Sequence, residues 1–102
     1  MISCPSTNPP LVGLILNGIL PTLTLHNAVP GQNATVDHDS TSGSPKYVVF
    51  YSGPSETFVP INNKGQVAVP ANMTGRVYAV ATTSGTEVTD KTIFARPFFF
   101  NV

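Results

Sequence analysis

Residues 75–97, GRVYAVATTSGTEVTDKTIFARP, decide the class of fold. Val77, Ala79 and Ala81 alternate with Tyr78, Val80 and Thr82, and both sets are apolar or β-branched. A strand of that kind is buried on both faces and belongs in the middle of a sheet. Ser84-Gly85-Thr86-Glu87 then reads as a polar turn. A second strand is expected over Val88 to Ala95, broken at Arg96-Pro97 and resumed over Phe98 to Val102, because proline cannot donate to a ladder.

The same grammar extends outward. Lys46 to Ser52, KYVVFYS, is apolar on both faces, with Val48 and Phe50 on one and Tyr47, Val49 and Tyr51 on the other. It too is predicted to be central. Thr22 to Val29 alternates cleanly, Leu23 and Leu25 opposing Thr22, Thr24 and His26, as a half-buried strand does. Asn33 to Asp39 reads as a short polar strand or arm, Glu56 to Ile61 as a short strand closed by Pro60, and Gln66 to Val69 as a strand with Val67 and Val69 inward. Pro10 to Leu16, followed by the turn pair Asn17-Gly18, reads as a first strand. Asn62-Asn63-Lys64-Gly65 is a tight turn, and 70–75 is a corner between sheets.

Ten prolines and eight glycines punctuate these runs, and no 3.6-residue apolar period persists beyond two turns. The expected fold is therefore all-β: an immunoglobulin/fibronectin-like two-sheet sandwich of about seven to eight antiparallel strands. Residues 1–9 read as a Pro-rich N-terminal arm and residues 10–102 as a single sandwich domain. Tyr78, early in the long strand, is a candidate corner tyrosine whose hydroxyl would brace the preceding loop.

Composition narrows the function. The 102 residues hold five Lys and Arg against five Asp and Glu, a formal net charge of zero. Lys46, Lys64, Arg76, Lys91 and Arg96 form no basic run, which argues against phosphate-driven nucleic-acid binding. The chain has no basic amphipathic helix, which argues against membrane-surface binding by that route. Leu11 to Leu20 is too short for a membrane span of about 20 residues. Hydration must come from Thr, Ser and Asn, and from sugar at two sequons, Asn33-Ala34-Thr35 and Asn72-Met73-Thr74. Together these features point to a secreted, extracellular protein. Met1 to Pro5 does not form a leader, so the chain reads as a processed product or as one domain of a longer protein.

The search for chemistry finds little. Cys4 is the single cysteine and has no neighbouring base, so it reads as a free or tethering thiol. In the run Asp37-His38-Asp39 a strand points His38 away from both carboxylates; with His26 it makes at most a weak metal candidate, and no cofactor is expected. A blue-copper centre would need a Cys and a second His near the C-terminus, and neither is there. No nucleophile elbow, phosphate-binding loop or dinucleotide fingerprint occurs, and nothing sets Glu56 opposite Glu87 as a glycosidase pair. The aromatics remain. Tyr47 and Tyr51 share a strand face and are a candidate sugar platform. Phe98-Phe99-Phe100 alternate faces, so at least one ring points away from the core and is a candidate contact with another domain or subunit.

Several pieces together resemble the C-terminal β region of secreted fungal ferritin-like proteins associated with stress and sexual development. They are Cys4-Pro5 with Asn8-Pro9, Pro21-Thr22-Leu23, Pro30-Gly31, Phe58-Val59-Pro60, Gly75-Arg76-Val77-Tyr78-Ala79-Val80, Thr82-Thr83-Ser84, Val88-Thr89-Asp90 and Ala95-Arg96-Pro97. The resemblance implies a secreted accessory sandwich. The iron-binding helices of such proteins would lie upstream and have no counterpart here, so it carries no ferroxidase role. The expected function is a non-catalytic interaction or structural module that binds a protein partner or its own copies. The alternative is a carbohydrate-binding, lectin-like module.

Overall fold

The computed structural model describes residues 20–41, 43–89 and 91–102. Among them are seven strands and no helix: β1 (Leu23–His26), β2 (Asn33–His38), β3 (Tyr47–Ser52), β4 (Ser55–Pro60), β5 (Gln66–Ala68), β6 (Arg76–Thr82) and β7 (Phe98–Asn101). They form two antiparallel sheets, one ordered β1-β2-β5 and the other β4-β3-β6-β7. This is a two-sheet sandwich. The expected first strand at Pro10 to Leu16, the Asn17-Gly18 turn, the 1–9 arm and Cys4 lie outside the described residues.

The inner faces meet as the alternation dictates. Leu23 and Leu25 of β1, Ala34 of β2 and Val67 of β5 pack against Val48 and Phe50 of β3 and Val77, Ala79 and Ala81 of β6. Phe50 is the largest fully buried side chain, and its burial alone contributes about 1.5–3 kcal/mol. Small alanines on β6 face the larger residues, which lets the two layers interdigitate. β2, expected as a short polar strand or arm, is a strand, and it is the central one of the smaller sheet. Its exposed face reads as polar because solvent, not another layer, covers it, while Ala34 and Val36 serve the core.

Three turns fix the register. Asn62 Oδ1 accepts from the backbone N–H of Lys64 and of Gln66, and Gly65 takes the left-handed φ of 75° that completes the turn. The corner at 70–75 carries the chain from one sheet to the other, with Met73 plugged into the core. It is tied to β3 by Ser52, whose hydroxyl donates to the Thr74 carbonyl and accepts from the Thr74 N–H. Gly53, at φ 58°, closes the β3–β4 hairpin.

One sequence expectation fails. Residues 88–95 do not form a strand. Only Ile93 bridges β6, opposite Thr82, and β7 begins at Phe98 opposite Ala79. The path from Ile93 to Phe98 is two residues longer than the path it faces on β6, so the chain bulges around Arg96-Pro97. Beside the Ile93 bridge the Thr83 N–H donates to the Thr92 carbonyl and the Phe94 N–H to the Ala81 carbonyl; further upstream the described residues bond locally. Thr92 Oγ1 donates to the Glu87 carbonyl and accepts from Thr89 N–H, and Lys91 N–H donates to Thr89 Oγ1. Threonine hydroxyls here take the bonds that a neighbouring strand would have supplied.

Candidate functional site

The described residues of 83–93 lie against the outer face of the four-stranded sheet, while Phe94 and Ala95 turn back into the inner core. Val88 and Ile93 join Val49, Tyr51 and Val80 in a second apolar cluster, flanked by Leu20, Phe58 and Tyr78. Gly85 sits directly on the Tyr47 ring: a Cβ there would lie 2.7 Å from Cζ. This cover decides the fate of the tyrosine pair. Tyr47 and Tyr51 do share the outer face. Tyr47 is capped by Gly85, however, and Tyr51 is only 4% exposed, so the two do not make an open platform.

A different aromatic row lies on the same face. Tyr51 of β3, Tyr78 of β6 and Phe99 of β7 are consecutive cross-strand partners. The Tyr51 and Tyr78 ring centroids are 6.0 Å apart, and Tyr78 meets Phe99 edge-on at 5.1 Å. The Arg76 guanidinium lies 5.3 Å from the Phe99 ring centroid, within cation–π range. Tyr78, the candidate corner tyrosine, is thus a member of this outer row, and Ser52 ties the 70–75 corner. A shallow depression of about 220 Å³ opens between Tyr51, Gly53, Arg76 and Tyr78.

The three phenylalanines separate as a strand requires. Phe98 and Phe100 turn inward and pack on the core, Phe100 edge-on to Phe50 at 6.5 Å. Phe99 turns outward and is 46% exposed. It walls a second depression, of about 320 Å³, with Thr22, Leu23, Arg96 and Pro97. Among the described strands β7 is the outermost of its sheet, and it carries no charged residue. The side chain of Arg96 reaches across to donate to Thr22 Oγ1, and its N–H donates to the Pro21 carbonyl, which clasps the two ends of the described fold together.

The histidines part company. His26 Nε2 lies 3.3 Å from Asp37 Oδ2 on the exposed face of the smaller sheet. His38 turns to the other face, edge-on to Phe94 at 5.2 Å, and its Nδ1 accepts from the Ser40 N–H. The two imidazoles therefore do not converge. Among the described residues no three His, Cys, Asp or Glu side chains gather as metal ligands. Asp39 instead accepts from the Thr22 N–H at 2.8 Å, fixing the entry to β1. Sequence reasoning missed the Tyr78–Phe99–Arg76 group, because the register that joins β6 to β7 depends on the bulge.

Both sequon asparagines are exposed, Asn33 on the outer face of β2 and Asn72 on the corner loop. Among the described residues no helix is long and apolar enough to cross a membrane. Among the described residues, fold and site together define an all-β sandwich whose four-stranded sheet ends on the aromatic, uncharged strand β7. Comparison with protein-family models, curated proteins and solved structures finds no match for the chain.

Proposed function

We propose that the protein is a non-catalytic, extracellular interaction module that self-associates through the β7 edge. The observation that carries this reading is Phe99, 46% exposed at the centre of an edge strand without a charge. Sheet edges that must stay single are usually blunted by charge, proline or a covering element, because a free row of backbone groups pairs readily with another strand. Residues 98–101 carry neither charge nor proline, and no other described strand pairs with their outer side; two copies related by a two-fold axis would bring two such strands together antiparallel. The rings of Phe99 from both copies would then share the depression beside Pro97, which Arg96 also lines. The resemblance to the β region of secreted fungal ferritin-like proteins, the paired sequons and the balanced charge support an extracellular setting.

Sedimentation of the protein over a range of concentrations tests the reading. The expected result is a monomer–dimer equilibrium that Phe99→Lys weakens at least tenfold while the circular dichroism spectrum stays unchanged. A monomer at all concentrations would overturn it. A second reading, sugar binding, draws support from the Tyr51, Arg76 and Tyr78 depression, where a partly exposed ring adjoins a guanidinium. Glycan-array binding lost in Tyr78→Ala would favour it over self-association.

A further inference from the structure

Both sequons fall at the same pole of the sandwich. Asn33 is the cross-strand partner of Ala68, four residues before Asn72. The ladder continues past them: Gly31 N–H donates to the Val69 carbonyl and Val69 N–H donates to the Gln32 carbonyl. A Cβ on Gly31 would stand 3.8 Å from that of Ala71, so the two loops touch. The residues around the sequons are small and open, with Gly31, Ala68 and Ala71 all exposed. There is room for a bulky substituent at either asparagine.

The backbone geometry also suits the chemistry. Asn33 and Thr35 are two apart on one strand, so amide and hydroxyl project from the same exposed face. In the second sequon Met73 is anchored in the core between two exposed residues, and the Thr74 backbone is held by Ser52. That fixes Asn72 outward without using its side chain.

We infer that Asn33 and Asn72 are both N-glycan acceptors, and that their two glycans together sheathe this pole. The inference rests on the extracellular part of the reading above and is independent of self-association. In the transfer, Asn Nδ2 attacks the anomeric carbon of a lipid-linked oligosaccharide. The new nitrogen–carbon bond replaces the bond from that carbon to the lipid diphosphate, which leaves with the electron pair, and the amide proton passes to a base of the transferase. The product is a neutral, strongly hydrated cover on a chain whose own charges are few and balanced.

The test is secretion of the full chain from eukaryotic cells behind a supplied, cleavable signal peptide. Because the signal is supplied, the result reports on the acceptors and not on native localisation. Intact mass should show two glycans, and enzymatic release should leave Asp at positions 33 and 72 in the peptide map. Thr35→Ala should lose the glycan at 33 alone and Thr74→Ala the one at 72 alone, while Thr35→Ser and Thr74→Ser keep both. Folded, secreted protein carrying no glycan, or one only, would overturn the two-glycan pole.

Discussion

Both faces of the four-stranded sheet carry an apolar cluster, but the two are covered by different means. The inner face meets a second sheet, and its contacts repeat strand by strand: Val48 and Phe50 against Leu23, Leu25 and Val67. The outer face meets a loop that reaches only part of it. Val88 and Ile93 cover Val49 and Val80, Gly85 covers Tyr47, and the row toward Phe99 emerges into solvent. A sheet covers a sheet along its whole length, because pleat matches pleat. A loop covers what its few apolar side chains can reach, and the remainder is left for something else to contact.

Three substitutions break or sharpen that contrast. Phe50→Ala removes the largest buried side chain of the inner face and should cost about 3–5 kcal/mol, read as a lowered urea midpoint. Ile93→Ala, on the outer face at 8% exposed, should cost nearer about 2 kcal/mol, because a loop relaxes into a cavity more easily than two opposed sheets. Equal losses would erase the distinction between the two covers. Gly85→Ala drives a methyl toward the Tyr47 ring and should cost about 1–3 kcal/mol as overpacking. It should also raise protease cleavage within 83–92, since the loop must lift to admit the methyl. Unchanged cleavage would mean that Tyr47 swings aside and the loop is not seated on it.

Thr92→Val provides the smallest and most specific test. It keeps the shape but removes a hydroxyl that serves Glu87 and Thr89. A loss of about 1 kcal/mol is expected, confined to hydrogen exchange in 87–93, with β3 and β6 amides unaffected. Spread of the effect into β3 would show that the loop and the inner core unfold as one unit.

The contrast also marks how far the sequence could be read. Strands β1, β3, β5 and β6 follow from alternation, since Leu23/Leu25, Val48/Phe50, Val67/Val69 and Val77/Ala79 each mark one buried face. The turn at Asn62 to Gly65 follows from residue chemistry alone. Residues 88–95 misled because V-T-D-K-T-I-F-A has strand composition, while Thr89 and Thr92 close hydrogen bonds over two to five residues. Nothing in composition separates a threonine that lines a sheet from one that replaces it. The site suffered in the same way. Period two correctly placed Tyr47 and Tyr51 together, but their burial depends on where a loop lands. Asn33, Asn72 and Phe99 were legible because exposure follows from a turn or from strict alternation.

The clasp between Arg96 and Thr22, 74 positions apart along the chain, bears on the order in which the molecule assembles. The entry to β1 cannot be clasped until Arg96 has been made, and β7 is the last of the described strands to be synthesised. Folds built on such distant pairings form slowly, over about milliseconds to seconds. Until residues 98–101 arrive, β6 is the outermost described strand of its sheet, presenting its backbone and the ring of Tyr78. Phe98 to Phe100 thus complete the pairing of β6, and deletion of residues 98–101 would leave the backbone of that strand open to a strand from a neighbouring molecule.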